Sequence, residues 1–158
     1  MQKIALRCRE MEFTSEQASQ AHQVNLWLKI NRCYGYLLPT SSFKPTKIHT
    51  SQLQENVALQ IKNSVRNGIL IHEEYAIDPS LIVDIAIVSE HLVIEVDGPS
   101  HFNQLGQELE TTLFKRRLLQ KLGWTVISFP YTDWDKLKTE DQQKAYLEGY
   151  QDLKKLFK

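Results

Sequence analysis

Apolar positions return along this chain in two rhythms, one helical and one extended. From Ser15 to about Cys33, Ala18, Ala21, Val24, Leu28 and Ile30 follow mostly helical spacing. Thr14 and Gln17 in front of them form a capping box. A second helix is predicted over Gln52 to Arg66, where Leu53, Val57, Ile61 and Val65 recur every four residues and Ala58 widens the stripe. Ser51 caps it and Asn67-Gly68 ends it. The period then shortens. Ile69 to Ile77 reads as a strand that Asp78-Pro79 breaks. Leu81 to Val88 and Leu92 to Val96 are nearly continuous apolar runs separated by a turn at Ser89-Glu90-His91. Such runs predict a hairpin inside a sheet covered on both faces.

After a loop at Gly98-Pro99-Ser100, Leu109, Leu113, Leu118 and Leu122 mark a helix over Glu108 to Leu122, stopped by Gly123. Trp124 to Phe129 is the next strand, stopped by Pro130. Thr139 or Asp141 caps a final helix reaching Phe157, with Ala145, Leu147, Tyr150, Leu153 and Leu156 on its apolar side. The order is helix, three strands, helix, strand, helix. It predicts an α/β domain from residue 51 to residue 158, a mixed sheet flanked by helices. Residues 1–50 form a helical N-terminal extension and a linker, because Pro39 to His49 holds two prolines, two serines and two threonines.

Composition narrows the function classes. The 158 residues are 42% hydrophobic, enough to bury a core and to exclude wholesale disorder. Cys8 and Cys33 stand apart, with no partner at ligand spacing, which argues against a disulfide framework or a thiolate zinc site. No apolar run approaches the ~20 residues that span a bilayer, so no membrane partner is expected. Met1 to Glu10 lacks a secretory apolar region, and the start is too short, and too acidic beyond Arg9, for a transit peptide. Lys+Arg and Asp+Glu balance at 19 each. A chain without basic excess has little counterion release to draw on, so it is not expected to grip nucleic acid strongly alone.

The placement of carboxylates is the unusual feature. Asp84 interrupts Leu81 to Val88, and Glu95 and Asp97 flank Val96. Charges in apolar strands are costly unless paired, metal-bound or at an open mouth. Strand alternation puts Glu95 and Asp97 on one face. A two-residue turn at Glu90-His91 or a four-residue turn over Ser89 to Leu92 would set Asp84 opposite Asp97 on that same face, and a three-residue turn would invert it. With the faces in agreement, the acids converge with His101, and Glu55 could approach from the helix after Ser51. Asp84 and Glu95 could then hold Mg²⁺ with water and phosphate oxygens. The alternative is structural: Asp84 paired with an arginine, Asp97 in a turn, His101 a hydrogen-bonded loop residue. Lys115, Arg116, Arg117 and Lys121 could contact phosphates or form a solvated helix face. Trp124 and Trp134 read as core rather than as base-stacking platforms, and His22, His49 and His72 show no ligand pairing.

Glu95-Val96-Asp97-Gly98-Pro99-Ser100-His101-Phe102, Lys115-Arg116-Arg117-Leu118-Leu119, Leu122-Gly123-Trp124-Thr125-Val126-Ile127, Pro130-Tyr131 and Trp134 occur in that order. In order and spacing they resemble the RAP-domain signature, over about residues 93–150. Ser51 to Glu55, Asp84 and Glu95-x-Asp97 also resemble the wider group of very-short-patch-repair-like and restriction-endonuclease-like proteins. The resemblance implies a restriction-endonuclease-like fold and an RNA-binding protein of an organellar ribonucleoprotein. The organelle is most often the mitochondrion, with the plastid as alternative. The implied partners are ribosomal RNA or organellar transcripts and the proteins assembled on them, a mitochondrial ribosome among them.

Active members of the wider group use the strand-two Asp and strand-three Glu, here Asp84 and Glu95, to hold Mg²⁺. Where their motif has a lysine, this chain has Asp97, which cannot supply positive charge beside a scissile phosphate. His101 or Lys115 could take that role. Three classes therefore remain: an RNA-binding subunit, an Mg²⁺-dependent endonuclease, and a protein-interaction module on a degenerate nuclease fold, with the N-terminal helix as a docking element.

Overall fold

A computed structural model describes residues 14–33 and 50–158. Cys8, the chain start and the proposed linker at Pro39 to His49 lie outside the described residues. The chain divides into two compact units, residues 1–48 with 76–82, and residues 49–75 with 83–158. Among the described residues no helix is long and apolar enough to cross a membrane.

In the first unit, helix α1 (Ser15–Ile30) starts at Thr14, whose hydroxyl accepts from the Gln17 N–H while the Gln17 side chain returns to the Thr14 N–H. It is shorter than the pattern predicts. Asn31 caps its C-terminus and Arg32 takes the left-handed conformation at φ 58°, which ends the helix before Cys33. Gln23 Nε2 of α1 donates to the carbonyl of Ser80 at 2.7 Å. Ser80 sits in a turn closed by Asp78, whose side chain accepts from the Ser80 N–H and hydroxyl.

In the second unit, α2 (Gln52–Ser64) begins with a second complete capping box at Ser51 and Gln54. The strands are β1 (His72–Asp78), β2 (Leu81–Ile87), β3 (Leu92–Asp97) and β4 (Thr125–Pro130), in the order β1-β2-β3-β4 of one four-stranded sheet. β3 runs antiparallel to β2 and parallel to β4, so the sheet is mixed, as the element order predicts. Between β3 and β4 the chain crosses through α3 (Glu110–Lys121). Pro130 stops β4, and the chain turns at once into a short helix not foreseen from the pattern, α4 (Tyr131–Trp134). The last helix is broken at Gly149 into α5 (Glu140–Glu148), capped by Thr139, and α6 (Gln151–Lys154).

Alternation along the strands gives the sheet two different faces. Ile85, Ile87, Leu92, Ile94, Val96, Ile127 and Phe129 join Val57, Ala58 and Ile61 of α2 with Trp134, Leu147, Leu153 and Leu156 in one buried cluster. Burying these side chains at about 1.5–3 kcal/mol each supplies the main favourable term. The residues between them, Glu95, Asp97 and Ser128, point to the opposite face, where α3 lies.

Candidate functional site

The central strands bring Asp84 and Glu95 together by a route different from the expected one. The register pairs Ile87 with Leu92 and Ile85 with Ile94, so the next step places Asp84 opposite Glu95 rather than opposite Asp97. The connection explains the difference. Val88–Glu90 winds into a 3-10 turn and His91 adopts a left-handed conformation at φ 49°, closing the hairpin directly after Ile87. A shift of two residues preserves side-chain parity, so Asp84, Glu95 and Asp97 still share a face. Beyond Ile85 and Ile94 the Asp84 side chain enters the ladder, its Oδ2 accepting from the Val96 N–H at 2.7 Å.

Glu95 is 3% exposed. Burial raises its pKa to about 7, against the pull of the Lys115 ammonium and with a further push from the Asp84 charge. Lys115 Nζ, from α3, donates to Glu95 Oε2 at 2.7 Å. Burial alone would lower the Lys115 pKa, but the carboxylates of Glu95 and Asp84 outweigh it and leave the ammonium above its ordinary value. Lys115, from a different element, thus sets a positive charge beside Glu95.

Two residues absent from the sequence-based set complete this pocket. Gln54 Nε2 donates to Asp84 Oδ1 at 2.5 Å and to Glu74 Oε1 at 3.3 Å, while Gln54 Oε1 accepts from the Ser51 N–H at 2.7 Å. Capping geometry therefore aims the amide: one end closes the helix start, the other holds the carboxylates. Glu55, expected at this mouth, is exposed, and its neighbour Gln54 occupies the place. Glu74 also accepts from Thr50 Oγ1 at 3.3 Å, and burial followed by the Asp84 charge raises its pKa. Gln54 was detectable as the N3 residue of a capping box, with a spare amide nitrogen. Glu74 carried no such signal.

Asp97 belongs to a separate network. Its buried Oδ2 accepts from Arg116 and from the Ser128 hydroxyl, which are themselves 2.8 Å apart. Its Oδ1 lies 3.2 Å from His101 Nδ1, which is 3.3 Å from Thr112 Oγ1. Arg116 Nη1 reaches Glu108 Oε1 at 2.6 Å. The Asp-Gly pair thus carries a buried ion-pair network, and His101 is gathered to Asp97, not to Asp84 and Glu95.

The basic residues of α3 split in the same way. Lys115 and Arg116 face the sheet and its acids, whereas Arg117 and Lys121 are exposed. Helical geometry dictates the division: Arg117 and Lys121 are four residues apart on one face, and Leu118 and Leu119 are buried on another.

Mg²⁺ wants an octahedron of oxygens with open lone pairs. Three of the four carboxylate oxygens of Asp84 and Glu95 already accept from Val96, Gln54 and Lys115. Of these four, Glu95 Oε1 is buried with no hydrogen-bond partner, as is Asp97 Oδ1 of the neighbouring acid. Among the described residues no group of three or more His, Cys, Asp or Glu is arranged to hold a metal. A divalent cation would compete with the Lys115 ammonium for the Glu95 charge. The donor set does not fit a resident Mg²⁺.

Fold and site together define a small mixed α/β module whose acidic sheet face is neutralised from one crossing helix. Residues 94–150, a span that contains the whole ordered signature from Glu95 to Trp134, match the RAP domain family. A chloroplastic RAP domain-containing protein of Oryza sativa subsp. japonica is 43% identical over 77 residues, 48% of this chain. The alignment covers 12% of that relative's own length.

Proposed function

We propose that this chain is an RNA-binding module of an organellar ribonucleoprotein, and that RNA lies along the outer face of α3 with Arg117 and Lys121 at its phosphates. The RAP match supports RNA as the ligand class. The observation that carries the location is the division of the basic cluster: Lys115 and Arg116 are committed to buried carboxylates, while Arg117 and Lys121 are free to meet a phosphate backbone. With Lys+Arg and Asp+Glu equal at 19 each, the protein works within an assembly whose other members supply most of the affinity. The chloroplastic relative favours a plastid over a mitochondrion as the compartment. The proposed RNA is ribosomal RNA or an organellar transcript, and a mitochondrial ribosome is the competing setting.

The test is fluorescence anisotropy of labelled single-stranded RNA across a salt series, comparing wild type with Arg117→Ala/Lys121→Ala. Each lost phosphate contact should reduce the log–log salt slope by about 0.7, so the double variant should lose about 1.4 along with affinity. Unchanged slope and affinity would sink the proposal for this face. Sequencing RNA crosslinked to the native protein separates ribosomal RNA from transcripts, and fractionation separates plastid from mitochondrion.

A further inference from the structure

At the C-terminal end of α3 the chain reverses through a glycine, and two aromatic rings meet just beyond the exposed cations. Gly123 takes φ +89°, with its N–H donating to Gln120 O at 3.0 Å and the following N–H, from Trp124, donating to Leu119 O at 3.1 Å. These two bonds form a Schellman motif, which sets the direction of Trp124 from the helix axis. On the facing connection, His91 is held in its left-handed conformation and its carbonyl accepts from the Thr125 N–H at 2.8 Å. The rings of His91 and Trp124 lie 5.3 Å apart at 39°. His91 is exposed and Trp124 is only half-buried, unlike Trp134, which is 4% exposed within the core.

We infer that Trp124, backed by His91, is a stacking platform for one base of a single-stranded RNA whose phosphates follow Arg117 and Lys121. The inference rests on the RNA reading above and adds a contact of different chemistry. Lys121 ends α3 and Trp124 follows the turn, so a strand tracking the Arg117–Lys121 face arrives at the rings within a few residues of the helix end. Aromatic faces stack on any base, and the backbone bonds on both sides fix the main chain that carries the two rings, while each ring packs against the other, which lowers the ordering cost. Glu90, exposed beside His91, repels phosphate. The backbone therefore passes on the Lys121 side and only the base reaches over the rings.

Stacking and phosphate contact leave different signatures. Binding of a fluorescein-labelled oligouridine is measured across a salt series for Trp124→Ala, Trp124→Phe and Arg117→Ala/Lys121→Ala. Trp124→Ala should weaken binding about 5- to 100-fold without changing the salt slope, and Trp124→Phe should retain most of the affinity. The cation variant should lower the slope. Normal affinity in Trp124→Ala alongside a reduced slope in the cation variant overturns the platform but keeps RNA on α3. No change in either variant removes both readings. Because Trp124 also packs, wild-type protein is crosslinked in parallel to RNA carrying 4-thiouridine. Adducts at Trp124 or His91 support the platform. Adducts only at other positions overturn it, even where Trp124→Ala fails to fold.

Discussion

Lys115 Nζ stands 2.7 Å from Glu95 Oε2, a helix cation brought onto a strand carboxylate that is 3% exposed. The pair answers the question raised by the acids of the central strands. A charge on Glu95 is tolerated because an ammonium lies beside it, and that ammonium stays charged because Glu95 and Asp84 face it.

Removing the cation should expose the cost of burying the acid. Lys115→Met is expected to destabilise the fold by about 3 kcal/mol at pH 8, the low end of the range for broken buried pairs, since Lys115 is partly exposed. The loss should shrink at pH 5, where Glu95 holds its proton without help. Urea titrations at both pH values check this, and equal losses would show that the ion pair is not the cause.

Glu95 also imposes a pH dependence of defined sign. Its pKa is about 7 in the folded chain against 4.5 for an ordinary glutamate, so between those values the folded state binds more protons. The contribution of Glu95 to stability is full below pH 4.5 and lost as pH rises through 7, on the order of 3 kcal/mol in all. Glu74, raised in the same direction, adds to the trend. Glu95→Gln should flatten the decline in unfolding free energy over this window. An undiminished decline in the variant would assign it to other groups.

Adjacent arginines should behave unequally. Arg116 bridges Asp97 and Glu108 in the interior, so Arg116→Ala should cost about 3–5 kcal/mol by leaving the Asp97 carboxylate short of its cation. Arg117 is exposed, and Arg117→Ala should change stability by no more than about 0.5 kcal/mol. Denaturation midpoints at constant m-value give the comparison. The same difference makes Arg117 the informative site for RNA measurements, because losses at Arg116 would mix binding with folding.

Divalent cations should neither stabilise the protein nor activate it. Binding to the folded state would raise the melting temperature in proportion to occupancy. Millimolar Mg²⁺ or Mn²⁺ is expected to leave it unchanged, and RNA and single-stranded DNA are expected to survive incubation with either ion. A metal-induced rise in melting temperature, or metal-dependent cleavage, that disappears in Glu95→Gln would reverse the assignment and make this protein a nuclease.

By itself the sequence determined the elements and their order, because apolar periodicity and capping chemistry are local. Thr14 with Gln17, Ser51 before Gln52, and Gly123 after Leu122 each act over a few residues and stand where the pattern puts them. The shared face of Glu95 and Asp97 was legible for the same reason, since strand alternation is a property of one strand. Which partner each charge takes was decided only by tertiary structure. Asp84 could meet Glu95 or Asp97 until the left-handed His91 closed the hairpin. The run Lys115-Arg116-Arg117 reads as one basic patch until packing of α3 through Leu118 and Leu119 turns the first two inward and the third out. Gln54 entered the acid pocket from the start of α2, thirty residues from Asp84, and Glu74 from the neighbouring strand. Desolvation and charge pairing depend on distances across the sheet, and those distances exist only once the layers have closed.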